Sequence, residues 1–328
     1  LLSLLTKKTE FRKMEKKFDI LVVGELNIDL ILNGIQKEPE IGKEILADTM
    51  TLTLGSSSAI FASNISTLGS KVAFAGRIGN DSFGNLVINS LKEKNINTEN
   101  VFVSKDKVTG ASIILNYDND RAIITHLGAI ACLSADDISD ELLANAKHLH
   151  VSSIFLQENL KKGIIQLFGK AKSLGLTTSL DIQWDPAEKW DINFEELLPL
   201  TDIFLPNKQE ITALTKEDDT EKALDKLGHV SNIIAVKLGT EGAIGMKKGI
   251  KIIVPPFLNE HVVDAIGAGD SFNAGFIYKY LKGEGLQECL EFGNLTGAVN
   301  TTASGGTAAF SNLRNVKQTA KEKFNVIL

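Results

Sequence analysis

Residues 262–276 read VVDAIGAGDSFNAGF. An apolar pair and an acid lead into three small residues, Gly267-Ala268-Gly269, and a second acid, Asp270, precedes Phe272, Phe276, Ile277 and Tyr280 at helical spacing. The spacing predicts a helix over 271–281 with Asp270 at or near its N-cap. Taken alone, such an Asp is simply a cap. The two glycines change the reading, because a bare backbone lets several N–H groups converge, and a helix N-terminus adds partial positive charge, so the turn suits an anion. A carboxylate fixed beside an anion repels it unless it has work there. Accepting a proton from a hydroxyl that is about to attack phosphorus is such work, with a metal ion absorbing excess negative charge.

Working outward, short continuous apolar runs recur at 18–23 (FDILVV), 71–76, 148–153, 177–182, 202–206 and 232–239. Helical patterns lie between them, at 59–68, 83–94, 160–174 and 208–214. Strands alternating with helices predict an α/β fold with a doubly wound, mostly parallel sheet, which binds ligands outside the carboxyl ends of its strands. Residues 29–54 and 101–126 instead show strand-like alternation and turn signals, Tyr117-Asp118-Asn119-Asp120 among them, and are expected to form a small separate sheet that serves as a lid. The main domain is expected over 18–328. Residues 1–17 read as a leader segment outside it, with Met14 as a start.

The 328 residues carry 43% hydrophobic side chains and a net charge of −6, enough apolar content for a sizeable core and a poor match to nucleic acid or a membrane surface. No run is long and apolar enough to span a bilayer. Cys132 and Cys289 have neither metal-ligand nor redox spacing, so a reducing, cytoplasmic setting is expected. A Walker loop is excluded, since GIIQLFGKA at 163–171 is one residue too long and ends in Ala171. Gly24-Glu25-Leu26-Asn27 is not a dinucleotide fingerprint.

Two further clusters carry alternative readings. Asn207 and Glu210 stand three apart at a strand-to-helix junction, which suits a capping box or a water-mediated hold on a hydrated divalent cation. Asn27 and Asp29 follow the first strand on one face, as a turn or as a pair of hydroxyl readers for a sugar.

These residues together resemble the ribokinase-like carbohydrate kinases, the phosphofructokinase-B family, from about residue 19 to the C-terminus. Asp264 to Phe276 looks like the family's C-terminal signature, residues 55–69 with 77–84 its N-terminal one, and Asn207 to Glu210 its NxxE motif. Lys237-Leu-Gly-Thr-Glu-Gly242 resembles the segment flanking the nucleotide. The resemblance implies phosphoryl transfer from ATP to a hydroxymethyl group of a small sugar under a β-sheet lid. It makes Asp270 the base and Gly267, Ala268 and Gly269 the anion hole. Asn207 and Glu210 would place Mg2+, through water, and phosphate. Lys237, Gly239 and Gly242 would lie along the nucleotide, with Asn294 near adenine on a helix over 286–302. Asn27, Asp29, Gly55 and Asp181 would meet the sugar, and Asp264 would hold a monovalent cation such as K+ or else cap its turn. Pairing of lids implies a homodimer.

The chain departs from the family pattern where the sugar is read. Ser56 replaces a second glycine, Ile60 and Ile130 replace customary asparagines, and Asp181-Ile-Gln-Trp-Asp185 lacks an arginine. No Arg/Lys cluster awaits a substrate phosphate, which argues against a 6-phosphofructokinase. Gln183, Trp184 and Asp185 suit an uncommon sugar or a nucleoside, with Trp184 as core packing the plainer role. A nucleoside kinase and a non-catalytic sugar-binding regulator are the alternatives.

Overall fold

Strand β1, Phe18–Val23, shows how the large sheet is covered: Leu21 and Val23 enter one apolar cluster and Ile20 and Val22 another, all fully buried. A strand apolar on both faces needs cover on both. One face is closed by helices Ser57–Thr67 and Ala268–Leu281 through Phe61, Ile65, Phe272 and Phe276; the other is closed by helix Glu158–Ser173 through Leu160, Ile164 and Phe168. The computed structural model describes residues 16–117 and 121–328, so Asp118, Asn119 and Asp120 of the expected turn lie outside the described residues.

The other strands are β2 (Asn27–Asn33), β3 (Thr49–Leu54), β4 (Val72–Gly79), β5 (Asn97–Ser104), β6 (Gly110–Asn116), β7 (Arg121–His126), β8 (Ala146–Ser152), β9 (Thr177–Asp181), β10 (Ile203–Phe204), β11 (Ile233–Lys237), β12 (Ala243–Lys247) and β13 (Ile250–Val254). The large sheet has the order β13-β12-β11-β10-β9-β8-β1-β4-β5. It is parallel from β5 to β11, so Val23, Ser152, Asp181 and Lys237 end along one edge. The antiparallel pair β12 and β13 was not foreseen from the sequence, because both are short and joined by the tight turn at Lys248-Gly249, where both residues have positive φ.

The small sheet has the order β3-β2-β6-β7, antiparallel except for the central parallel pair β2 and β6. Its extent corrects the expectation: it begins at Asn27, and Val101–Ser104 belong instead to β5, the edge of the large sheet beside β4. Alternation alone cannot tell an edge strand of one sheet from a strand of another. Helix Leu286–Asn300 ends two residues earlier than the 302 expected for it, and a further helix, Leu313–Phe324, follows.

A chain of short hydrogen bonds crosses the core, from Thr177 Oγ1 through His148, Ser179 Oγ and His150 to Ser152 Oγ, each 2.7–2.8 Å. Burial pushes His148 down to about 3 and lowers His150 as well, so both rings are neutral and serve the core.

Candidate active site

The strand-end edge of the large sheet and the inner face of the small sheet enclose a cavity of about 760 Å³, within the usual range for a small-molecule site. The chain crosses between the two sheets at Gly24-Glu25-Leu26, so β2 starts at the cavity wall.

The N-terminus of helix Ala268–Leu281 contributes to the lining of this cavity. The helix starts earlier than the sequence suggested, with Gly267 as its N-cap at φ 74, and Asp270 is its third residue rather than its cap. Hydrophobic spacing starts only at Phe272, which hid the first turn. No side chain caps this helix. Ala268 N reaches Ala265 O and Ser271 N reaches Gly267 O, so the N–H groups of Gly269 and Asp270 have no acceptor within the helix. Gly267 could not carry a side chain here: a Cβ would lie 2.6 Å from Gly306 Cα, and its φ disfavours one in any case. Asp270 is buried and lines the cavity with Gly267 and Gly269. Burial, then the Asp181 carboxylate, pushes Asp270 up to about 7 against the pull of Lys237.

Behind Asp270 stands a fixed network. Lys237 Nζ lies 2.9 Å from Asp181 Oδ2, which also accepts from Asn273 Nδ2 and from Gln183 Nε2 at 3.1 Å. Burial lowers the Lys237 pKa, but Asp181 and Glu210 outweigh it and the net shift is upward, so the ammonium stays charged. Asp181 is therefore a buried partner of Lys237, not a residue facing the cavity. Asn207 and Glu210 make the full capping box: Asn207 Oδ1 accepts from Glu210 N at 2.8 Å, and the Glu210 carboxylate accepts from Asn207 N at 2.9 Å and Nδ2 at 2.6 Å. Both still line the cavity. Burial, then Asp181, raises Glu210 to about 7.

The remaining expected residues divide. Gly239 reaches the cavity. Gly242 does not; it has φ 95, and a Cβ there would meet Val254 O at 2.2 Å, so it serves the turn into β12. Asn294 is also outside it, donating to Pro255 O at 2.9 Å. Asp264 caps its turn, accepting from Ile266 N at 2.8 Å and Gly305 N at 3.0 Å.

Asn27, Asp29 and Ser112 line the same cavity, where Asn27 Nδ2 donates to Asp29 Oδ1 at 3.0 Å and to Ser112 Oγ at 3.1 Å. Burial pushes Asp29 up to about 7, opposed by Asn27. Gly55 lies against this pair, since a Cβ would come within 2.2 Å of Asp29 Oδ1. Ser56 takes a backbone that favours glycine, at φ 70 and ψ 121, held by bonds from Ala59 N (2.9 Å) and to Glu25 O (2.6 Å).

Several lining residues escaped the sequence reading. Glu25 is buried in the wall, with Ser58 N donating to it at 3.1 Å, and burial raises its pKa despite the Ser58 bonds. Its only signal was an acid directly after the glycine that ends β1. Ser112 and Thr125 were concealed by the apolar alternation of their strands. Ile60 lines the cavity as the substitution suggested, whereas Ile130 is buried against Gly110. Gln183 and Trp184 line it too, but Asp185 does not: its carboxylate accepts from the amides of Ala187, Lys189 and Trp190 at 2.8–2.9 Å.

Residues 17–312 match the family model described as pfkB family carbohydrate kinase. The chain belongs to that family. It is therefore a carbohydrate kinase by descent. An uncharacterized sugar kinase of Archaeoglobus fulgidus is 32% identical over 71% of this chain and 92% of its own length. A 5-dehydro-2-deoxygluconokinase of Geobacillus thermodenitrificans is 26% identical over 93% of both chains. Among solved structures, a ribokinase of Arabidopsis thaliana, complexed with ribose and ATP, superposes with a TM-score of 0.79 at 26% identity, covering 93% of this chain and 99% of that one.

Proposed function

We propose that this family member is an ATP- and Mg2+-dependent kinase that phosphorylates a hydroxymethyl group of a small sugar, with Asp270 as the base. The observation that carries the reading is one cavity lined both by Asp270, beside unpaired helix amides, and by the hydroxyl readers Asn27 and Asp29. Asn27 and Asp29 hold the sugar hydroxyls, and the small sheet acts as a lid that excludes water. Asp270 takes the proton of the attacking hydroxyl. In the turn Gly267-Ala268-Gly269 the bare backbone lets the free N–H groups of Gly269 and Asp270 face the transferring phosphoryl oxygens, and Lys237 adds fixed positive charge nearby. Gly239 lies along the nucleotide, and Gly242 sets the turn that places it.

The residues fit a hydrated metal ion. Glu210 already accepts two bonds from Asn207, and no group of three His, Cys, Asp or Glu side chains among the described residues could ligate a metal directly. Asn207 and Glu210 would hold Mg2+ through its waters, as such ions allow. When bound, Mg2+ neutralises charge developing on the phosphates. A monovalent cation at Asp264 would steady the turn before Gly267.

The substrate class follows the relatives, a pentose or a deoxy keto sugar acid of six carbons. Trp184 and Ile60 in the wall favour a nucleoside as the second reading. An ADP-release assay with ATP and Mg2+ over ketoses, aldoses, 2-deoxy sugar acids and nucleosides, in K+ and in Na+, tests the proposal. Turnover with a sugar supports it; turnover with nucleosides alone supports the second reading. Tight sugar binding with no ADP under any metal condition overturns both in favour of a binding protein.

A further inference from the structure

Gln183 is one of the few residues other than glycine with a left-handed backbone, at φ 57. That conformation costs on the order of 1 kcal/mol or more for a side-chain-bearing residue and persists where surroundings impose it. Here Asp185 imposes it from the C-terminal side by gathering the amides of Ala187, Lys189 and Trp190, and Trp190 packs edge-on against Trp184. The result is that the Gln183 side chain turns inward. Its Nε2 donates to Asp181 Oδ2 at 3.1 Å and to Asp270 Oδ1 at 3.2 Å. The amide thus uses both hydrogens to bridge two buried carboxylates that repel each other. Because Asp181 is anchored by Lys237 and Asn273, Gln183 couples the Asp270 carboxylate to that fixed network.

We infer that Gln183 is a positioning residue for phosphoryl transfer, fixing one oxygen of Asp270 so that the other meets the substrate hydroxyl in a set direction. The inference rests on the reading of Asp270 as the base. A donor to the charged carboxylate also favours that charged form. The other groups facing Asp270 are Asp181 on β9, Lys237 on β11, Glu25 after β1, Glu210 on helix Lys208–Thr215 and the Ser57 hydroxyl, which also hydrogen-bonds to Asp270. Of these the carboxylates Asp181 and Glu25 oppose ionisation, so loss of the Gln183 donor is felt in full.

The test is ADP release from the full chain between pH 5.5 and 9, with the best sugar of the panel, for Gln183→Leu, Gln183→Glu and Asp270→Asn. Gln183→Leu should move the acid limb of kcat/KM up by about one pH unit and lower the kcat plateau about 10-fold, with KM for the sugar nearly unchanged. Gln183→Glu should move the limb further, because a new carboxylate would face Asp270. If the Leu variant does not fold, Gln183→Met removes the donor at equal length and decides the question. A limb that stays at the wild-type position in a folded variant overturns the inference. Asp270→Asn separates the two claims. Near-normal turnover in that variant sinks the base reading, whereas loss of turnover together with an unmoved limb in Gln183→Leu sinks only the role of Gln183.

Discussion

Asp29, Glu210 and Asp270 share one cavity, and burial first of all pushes each of them up to about 7. For a base this is a working position: near neutral pH Asp270 can accept a proton and give it up again. Turnover should accordingly fall as pH drops through about 7 and Asp270 becomes protonated. Stability should run the other way. A carboxyl whose folded pKa lies above its unfolded value of about 4 takes up a proton on folding, so its contribution is present below about 4 and is lost as pH rises through the folded value. Asp270→Asn should therefore melt higher than the wild type at pH 8 and near it at pH 4, by thermal unfolding monitored across that range. A melting difference independent of pH would show that Asp270 is an ordinary carboxylate. The residue-scale chemistry was only partly legible. Asp270 stood out because glycines flank it, but nothing in the linear order joins Gln183 to Asp270 or Glu25 to Ser58, since those contacts are made between elements.

At the scale of elements, helix Ser57–Thr67 begins on a residue that pays a steric penalty. Ser56 sits at φ 70, a region that favours glycine, and recovers through its cap on Ala59 N and its bond to Glu25 O. Ser56→Ala should keep the penalty and lose both bonds, destabilising by about 1–2 kcal/mol. Ser56→Gly loses the same bonds but relieves the backbone, and should cost only a few tenths of that. Urea unfolding of the two variants checks this, and equal midpoints would contradict it. The second half of the N-terminal signature has a structural use. Asp81 caps helix Ser82–Glu93 through Gly84 N at 2.8 Å and also binds Thr109 N at 2.8 Å, fixing the loop that enters β6. Buried strands and amphipathic helices were readable because burial imposes their periodicity. Edge and hairpin strands such as β5, β12 and β13 were not, because half-exposed alternation does not say which neighbour they pair with.

For the whole molecule, the arrangement leaves one surface unexplained by the cavity. The small sheet turns Asp29, Ser112 and Thr125 inward, and by strand register Leu30, Leu52, Ile113 and Ile124 share its other face, where Leu52, Ile113 and Ile124 are exposed. A second copy of the chain packed through this face would cover it, as the sequence resemblance implied. Light scattering should give a dimer, and Leu52→Arg with Ile113→Arg a monomer; a monomeric wild type would contradict the pairing. No helix of the described residues is long and apolar enough to cross a membrane. Fold and family were legible because the parallel core and the glycine signature are local. The substrate is not, because Trp184, Ile60 and the readers converge from distant segments. The most direct test of the whole account measures Asp270→Asn in two ways, ADP release and calorimetric binding of sugar and nucleotide. Binding within a few-fold of wild type with turnover reduced about 100-fold or more is the predicted result. Turnover close to that of the wild type would contradict it.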